Sequence, residues 1–205
     1  MPAYRGFERI ELDAKHWVWI GQLPAPVRQH IDFDVAWRLH PTEYHRLVLY
    51  GRELETPRWH QAYGVDYAFS GNITRALPLA PTFAPLLAWA KATIDPRLNG
   101  VLVNWYDAAK GHYISKHRDS PKGLLTPSPI VTISLGGHRL FRLRPWKGSG
   151  RVDLAADDGR VFILPYETNR AWTHEVPRFR RDQGRRISVT MRCFEQVRKG
   201  QMPAV

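Results

Sequence analysis

The sequence contains a single cysteine, Cys193, in 205 residues. One thiol excludes an internal disulfide framework and is typical of a protein from a reducing compartment. Cys193 continues an alternating apolar pattern, so we expect an ordinary buried thiol and not a nucleophile.

Long apolar runs are also missing. The apolar stretch Trp17–Ile20 is far too short to span a membrane, and residues 1–9 lack the apolar segment of a signal peptide. We therefore expect a soluble protein with no membrane partner, located in the cytoplasm, with the nucleoid, or in the nucleus of a eukaryote. The sequence has no internal repeat, low-complexity tract or glycine-rich phosphate loop.

Acidic residues are outnumbered by basic ones. The chain has 30 Lys and Arg against 19 Asp and Glu, a formal net charge of +11 and a pI of about 10.1. This excess favours a polyanionic partner, of which nucleic acid is the commonest, although general solubility or an arginine-rich proteome would also explain it. The densest basic run, 178–185, is predicted to be a loop that contacts phosphates, with a merely solvated loop as the alternative.

The composition predicts one ordered domain, because 43% of the residues are hydrophobic and Trp, Tyr and Phe occur eight times each. Residues 82–94 are predicted to form a helix that is capped by Thr82 and has Pro85 in its first turn. A shorter helix is predicted at 27–31. A strand is predicted at 17–20, within an α/β opening at 1–40. Four further short β runs are spaced as in a jelly roll and lie at 130–135, 139–144, 161–165 and 186–194.

Three residues have the order of a facial metal triad: His117, then Asp119 two positions on, and His174 much later. Two neutral imidazoles and one carboxylate leave metal positions open, which suits non-haem Fe(II) that binds a co-substrate and O2. In an extended segment, side chains two apart point the same way, so His117 and Asp119 would share one ion while Arg118 faces elsewhere. Taken alone, these three residues are more typical of a surface turn than of a metal site.

The segment Arg186–Arg192 alternates between apolar and polar residues, as a strand with two different faces does. On a solvated edge, its polar face would be unremarkable. Inside a barrel, two inward arginines need an anion, because an unpaired buried charge is costly. Standard chain dimensions leave about 8 Å between the two guanidinium groups. A short dicarboxylic acid fits that gap and suits the arginine forks.

A second strand with a polar face is predicted at 101–106, followed by a turn at 107–111. Asn104 and Tyr106 share that polar face. An ordinary structural strand is the alternative interpretation of this segment alone.

The order of these elements closely resembles the AlkB family of Fe(II)/2-oxoglutarate-dependent dioxygenases. The resemblance covers about 95–195, including the strand at 129–136, and its motifs are Asn104-x-Tyr106, His117-x-Asp119, His174 and Arg186-x-Ser188-x-Thr190-x-Arg192. It implies a single α+β domain with a double-stranded β-helix (jelly-roll) core at about 96–197. An N-terminal α/β extension with a nucleotide-recognition lid would occupy about 1–95.

The resemblance also implies the roles of the site residues. The catalytic iron, Fe(II), would be held by His117, Asp119 and His174. The co-substrate 2-oxoglutarate would be bound by Leu102, Asn104, Tyr106, Arg186, Ser188 and Arg192, and O2 would be the oxidant.

The N-terminal half is similar to the DNA-repair branch of the family. Residues 57–71 resemble its nucleotide-recognition lid, and 49–52 resemble the apolar finger with which the duplex-preferring member probes DNA. Such a wedge fills the gap left by an extruded base, on which aromatic side chains then stack. A hydrophobic strand end with core aromatics is the alternative. The expected nucleic-acid contacts are Leu49, Tyr50, Gly51, Arg52, Arg58, Tyr67, Phe69, Ser70 and Arg118.

Two positions depart from the family pattern. Ser188 stands where the family usually has Asn, which removes one amide contact to the co-substrate. Ser120 follows Asp119 where many repair members carry an acidic residue that reads the damaged base. The preferred base is therefore not implied by the resemblance.

The activity implied is oxidative demethylation of N-alkylated bases in DNA, with release of succinate, CO2 and formaldehyde. One alternative keeps this chemistry and acts on RNA, a protein or a small molecule. Another is a non-catalytic nucleic-acid-binding protein that kept a jelly-roll shell. We expect the protein to act as a monomer.

Overall fold

The computed structural model describes residues 4–49, 51–69, 72–179 and 184–195. The helices of this part are α1 (Ala25–Gln29), α2 (Phe33–Trp37), α3 (Ala84–Thr93) and α4 (Tyr166–Ala171). Its strands are β1 (Glu8–Glu11), β2 (Trp17–Gln22), β3 (Arg46–Leu49), β4 (Arg52–Glu55), β5 (Trp59–Tyr63), β6 (Tyr67–Phe69), β7 (Asn72–Thr74), β8 (Ala76–Leu77), β9 (Gly100–Asp107), β10 (Ile114–His117), β11 (Ile130–Gly136), β12 (Leu140–Pro145), β13 (Val152–Ala155), β14 (Arg160–Leu164), β15 (Trp172–Val176) and β16 (Arg185–Arg192).

Two sheets form the core. The larger sheet has the strand order β1-β2-β14-β11-β16-β9-β5-β8, and the smaller has the order β10-β15-β12-β13. Phe141 of the small sheet stacks on Phe162 of the large one, with ring centroids 4.6 Å apart. Apolar residues of both sheets form one buried cluster around this pair. The sheets therefore face each other, as the two layers of a jelly roll do.

Strand β16 lies inside the large sheet, between β11 and β9. Its apolar residues Ile187, Val189 and Met191 belong to the main hydrophobic cluster. Its polar residues point to the opposite face, since successive side chains of a strand alternate. The predicted alternation is confirmed, although the strand ends at Arg192 and not at residue 194.

Helices cover the outer face of the large sheet. Leu86 and Ala90 of α3 are fully buried against it, and Trp105 of β9 donates its indole N–H to the carbonyl of Ala36 at 3.0 Å. No helix in the described ranges is both long enough and apolar enough to cross a membrane.

Both predicted helices begin at different residues. Pro81–Phe83 form a 3-10 turn, α3 begins at Ala84 after Phe83, and no side chain caps it. The predicted Thr82 cap is wrong because a capping residue needs extended backbone, whereas Thr82 lies inside the turn. The predicted helix at 27–31 is instead α1, which begins at Ala25 with Pro26 in its first turn.

The N-terminal half contributes strands to the same large sheet. β1 and β2 extend it beyond β14, and β5 extends it beyond β9. Two hairpins lie outside it, β3–β4 and β6–β7. Leu49 pairs with Arg52 across the first hairpin, and Gly51 in its two-residue loop has a φ of 74°. A glycine adopts such a positive φ without steric cost.

His60 on β5 is fully buried. Its ring stacks on His45 at 3.9 Å, and its Nε2 lies 3.3 Å from the hydroxyl of Thr74. Burial lowers the pKa of His60 from 6.5 to about 2, and the nearby Arg58 charge acts in the same direction. His60 is therefore neutral in the folded protein at any ordinary pH.

This buried imidazole makes stability depend on pH. Below pH 6.5 the unfolded chain binds a proton that folded His60 does not, so the free energy of unfolding falls as the pH falls. Between pH 7.5 and 5.5, we expect this residue to account for a loss of about 1.4 kcal/mol. Urea titrations of the metal-free protein and of His60→Gln test this, since the variant should lose less stability by that amount. The same loss in both proteins would contradict the prediction.

Candidate iron and co-substrate site

The three predicted metal ligands meet at one point. His117 ends β10 and pairs in register with His174 of β15. The Nε2 atoms of His117 and His174 lie 3.8 Å and 3.9 Å from Oδ1 of Asp119. One ligand atom of each residue lies within 4.8 Å of the other two. This spacing fits a single ion bound by all three.

The route by which Asp119 reaches this point differs from the prediction. We expected an extended segment through Asp119, but β10 ends at His117. Asp119 is held by Asn169 of α4, whose Oδ1 accepts from the Asp119 amide and whose Nδ2 donates to its carbonyl, both at 3.0 Å. Because α4 leads directly into β15, Asn169 connects the loop of one ligand to the strand of another.

Both imidazoles are in the neutral state that metal binding requires. The Nδ1 of His117 donates to the carbonyl of Ser115 at 2.8 Å, which leaves Nε2 as the free lone pair. Burial lowers the pKa of His117, and burial together with His117 lowers the pKa of His174 to about 3. Metal binding therefore does not have to displace a proton from either ring.

The carboxylate of Asp119 divides its two oxygens between two partners. Oδ2 accepts from Nε and Nη2 of Arg192 at 2.8 Å and 2.5 Å, whereas Oδ1 faces the histidines. Burial opposes the charge of Asp119, but Arg192 and the two imidazoles outweigh it and hold the pKa well below its usual range. Asp119 is thus ionised and has one oxygen available to a cation.

Tyr67 of β6 covers the same pair. Its hydroxyl donates to Oδ1 of Asp119 at 3.4 Å, and the guanidinium of Arg192 lies 4.7 Å from its ring centroid. Burial raises the pKa of Tyr67 to about 12, so the phenol keeps its proton and remains a donor. Tyr67, which was predicted to contact nucleic acid, therefore lies directly against the Asp119 carboxylate.

The inward faces of three neighbouring strands form a polar wall beside the triad. Ser188 of β16 pairs with Asn104 of β9 on one side and with Ser134 of β11 on the other. Arg186 pairs with Tyr106, and Thr190 pairs with Leu102. The predicted co-substrate residues on β9 and β16 are therefore brought together.

Arg186 is the buried cation of this wall. It is fully buried, and its Nε donates to the Ser134 hydroxyl at 2.8 Å. Neither Nη1 nor Nη2 has a hydrogen-bond partner in the described part of the chain. Burial lowers its pKa to about 10, so it remains charged near neutral pH. Two orphaned guanidinium donors on a buried charge fit the carboxylate of a diacid such as 2-oxoglutarate.

A cavity of about 610 Å³ opens above the triad and this wall. Cavities of roughly 300–1,000 Å³ hold drug-sized ligands, so there is room for a small diacid and a second, base-sized group. Arg186 is not part of the cavity surface and lies behind it. The lining includes His117, Asp119, His174, Leu102, Asn104, Tyr106, Ser188, Arg192, Tyr67, Arg58 and Arg118.

The residues predicted to contact nucleic acid lie in different places. Arg58 is buried in the cavity wall, where its Nε donates to Oδ1 of Asn104 at 2.7 Å. Arg118 lies at the mouth, and Arg52 and Gly51 are exposed on the β3–β4 hairpin. Tyr50, Ser70, the side chains of Leu49 and Phe69, and residues 180–183 of the basic run lie outside the described part of the chain.

Two site residues were missed from the sequence. Ser134 shares the inward face of β11 with Thr132, so the alternation of that strand could have indicated it. Asn169 is on a six-residue helix, 50 positions from its partner, and no local pattern points to it.

Asn169→Ala should weaken metal binding, because the Asp119 loop loses both of its anchoring hydrogen bonds. Loss of such an outer-shell partner typically costs about 10- to 100-fold in affinity. The dissociation constant for Mn(II), measured by titration calorimetry, tests this.

Asn99→Ala is the matched control, since Asn99 makes a similar pair of bonds to Phe194, at 2.8 Å and 2.7 Å. It should lower the unfolding temperature and leave Mn(II) affinity unchanged. An Asn169→Ala protein with wild-type affinity would refute this role.

The chain is similar in sequence to several known proteins. The DNA oxidative demethylase ALKBH2 of Homo sapiens is 26% identical over 210 residues, which cover 97% of this chain and 79% of that protein. ALKBH2 of Mus musculus is 28% identical over 165 residues, covering 75% and 69%. The alpha-ketoglutarate-dependent dioxygenase alkB homolog 3 of Rattus norvegicus is 28% identical over 125 residues, covering 55% and 42%.

Two further comparisons concern the fold and the family. The solved structure of OsALKBH1 superposes with a TM-score of 0.53 at 13% identity, covering 90% of this chain and 99% of that one, which confirms the predicted jelly-roll core. The profile of the 2OG-Fe(II) oxygenase superfamily matches residues 32–192. With its His-Asp-His site, the chain therefore belongs to the 2OG-Fe(II) oxygenase superfamily, as a dioxygenase of the AlkB family that uses Fe(II), 2-oxoglutarate and O2.

Proposed function

We propose that this protein demethylates N-alkylated bases in nucleic acid, with alkylated DNA as the substrate, and so repairs alkylation damage. The observation that carries the proposal is the similarity to a DNA oxidative demethylase over 97% of the chain. That similarity extends over the cavity and over the hairpin beside it, not only over the metal ligands.

We further propose that His117, Asp119 and His174 hold the iron. Leu102, Asn104, Tyr106, Arg186, Ser188 and Arg192 would surround the co-substrate. The orphaned donors of Arg186 support its pairing with the distal carboxylate. Fe(II) with 2-oxoglutarate and O2 supplies the oxidation, in which the keto acid becomes succinate and CO2. The methyl C–H is converted to C–OH, and the hydroxymethyl group leaves the base nitrogen as formaldehyde.

The hairpin β3–β4 is suited to probe a duplex. Leu47 and Leu54 line the cavity from this hairpin, and the two-residue loop at its tip contains Gly51. An apolar tip next to a base-sized cavity could occupy the space that a flipped base leaves in the stack. Arg52 follows the tip. Tyr67, Phe69 and Ser70 are included among the proposed contacts because their segment of the sequence resembles the family's recognition lid.

The cavity mouth carries groups that suit a phosphate backbone. Lys116 and Arg118 line it. The guanidinium of Arg118 lies 3.9 Å from the ring centroid of Trp146 and donates to the Arg170 carbonyl at 2.7 Å. The indole is 53% exposed, so the mouth presents a fixed cation beside an aromatic face. Both features favour nucleic acid.

The presence of Ser120 leaves open which methylated base, and which type of nucleic acid, the protein prefers. Ser120 lines the cavity directly after Asp119, where a hydroxyl stands in place of an acidic base reader. RNA is therefore included among the substrates to be tested. One chain supplies all three ligands and the cavity, so we propose that the protein acts as a monomer.

The test is a panel of oligonucleotides that each carry one N-methylated base, as duplex DNA, single-stranded DNA and RNA. With Fe(II) and 2-oxoglutarate, we expect formaldehyde and succinate in equal amounts from a methylated DNA, and neither product with His174→Ala. If formaldehyde is released from methylated RNA and from no methylated DNA, the substrate is RNA. Succinate without formaldehyde from any member would reject demethylation of nucleic acid.

Arg118→Gln should weaken DNA binding through loss of one phosphate contact. We expect the slope of log affinity against log salt concentration to become shallower by about 1, with the same effect on all sequences. Fluorescence anisotropy at several salt concentrations measures the DNA affinity and the slope of its salt dependence. Arg9→Gln is the matched control, because it removes the same charge from β1, away from the cavity lining. It should change neither the DNA affinity nor the salt slope. Identical salt slopes for Arg118→Gln and wild type would exclude the contact.

A further inference from the structure

Arg58 is a buried cation in the wall of the co-substrate cavity. Only 7% of it is exposed, although it lies in the segment that resembles a nucleotide-recognition lid. Its backbone is fixed by two bonds with Thr56: the Arg58 amide donates to the Thr56 carbonyl at 2.8 Å, and the Thr56 hydroxyl donates to the Arg58 carbonyl at 3.0 Å. These two bonds fix the position of the Arg58 Cα atom, from which the side chain extends into the cavity wall.

The side chain of Arg58 contacts the amide of Asn104. Its Nε donates to Oδ1 of Asn104 at 2.7 Å, across 46 positions of the chain. Asn104 is itself buried, with 5% exposed, and belongs to the polar wall opposite Ser188. Both side chains line the same cavity.

An asparagine amide has one acceptor end and one donor end, whereas a guanidinium has donors alone. Arg58 can therefore bind only the oxygen of Asn104, which turns the NH2 group to the other side. A carboxylate or keto oxygen in the cavity needs a donor, and a flipped amide would present its own oxygen and repel it. The orientation of the Asn104 amide thus decides whether it attracts or repels the co-substrate.

We propose that Arg58 is a positioning residue for 2-oxoglutarate, which locks the Asn104 amide with its NH2 group directed at the co-substrate. This inference rests on the assignment of Asn104 to the co-substrate under the proposed function. It also ties the lid to the co-substrate pocket, because Arg58 lies between the β3–β4 hairpin and β5. Arg58 acts through Asn104 and does not itself contact the co-substrate.

A double-mutant cycle tests the proposal. The dissociation constant of 2-oxoglutarate is measured by titration calorimetry on the Mn(II)-loaded protein, which needs no turnover. Arg58→Met keeps the length of the side chain and removes its donors, and we expect the constant to rise about 10-fold. Asn104→Ala should give a similar rise, and the double variant should be no weaker than Asn104→Ala alone.

Arg75→Met is the matched control, since its side chain is 81% exposed and the same charge is lost. It should leave the constant unchanged. Unfolding temperatures establish that each variant is folded. If Arg58→Met does not fold, Arg58→Lys takes its place in the cycle, with a rise of about 3-fold that disappears in the Asn104→Ala background.

Three results would overturn the inference. If Asn104→Ala weakens binding and the Arg58 variant does not, the assignment of Asn104 stands and the positioning role is wrong. If the two effects multiply to about 100-fold, Arg58 acts on the co-substrate independently of Asn104. If Asn104→Ala binds as tightly as wild type, the assignment of Asn104 itself is wrong, and the positioning role fails with it.

Discussion

The buried ion pair between Arg192 and Asp119 is the interaction on which the site depends. A carboxylate this deeply buried stays ionised chiefly because a guanidinium faces one of its oxygens, at 2.8 Å and 2.5 Å. That contact also directs the other oxygen towards the two imidazoles. In one interaction, the protein fixes the charge, the position and the free oxygen of the predicted metal ligand.

The two-faced strand β16 explains how such a pair can be built. Its apolar face is buried in the main core, which fixes its register, and a shift by one residue would exchange the two faces. The register therefore determines which side chains face the cavity. Arg186 and Arg192 lie at opposite ends of this inward face. Arg192 is neutralised by Asp119, whereas Nη1 and Nη2 of the buried Arg186 have no hydrogen-bond partner among the described residues.

Patterns within one strand could be predicted from the sequence. The alternation over Arg186–Arg192 and the polar face with Asn104 and Tyr106 both reappear in the structure. The convergence of His117, Asp119 and His174 was also predicted, although β10 stops at His117. The reason is that these features depend on period and order, which a sequence displays directly.

Contacts between distant residues that belong to no recognisable motif could not be predicted. Asn169 and Arg58 reach their partners across 50 and 46 positions, and neither residue belongs to a periodic pattern. Arg58 was predicted only as a nucleic-acid contact, and its bond to Asn104 in the cavity wall was not foreseen. Composition indicates that a buried polar group needs a partner, whereas only the fold determines which partner it meets.

The most direct test of this account is a crystal structure of the protein with Mn(II) and 2-oxoglutarate. We predict that the metal is bound by Nε2 of His117, Nε2 of His174 and Oδ1 of Asp119, while Arg192 remains on Oδ2. The distal carboxylate of the co-substrate should lie on Arg186. A metal bound elsewhere, or an Asp119 that leaves Arg192 to bind with both oxygens, would contradict the account.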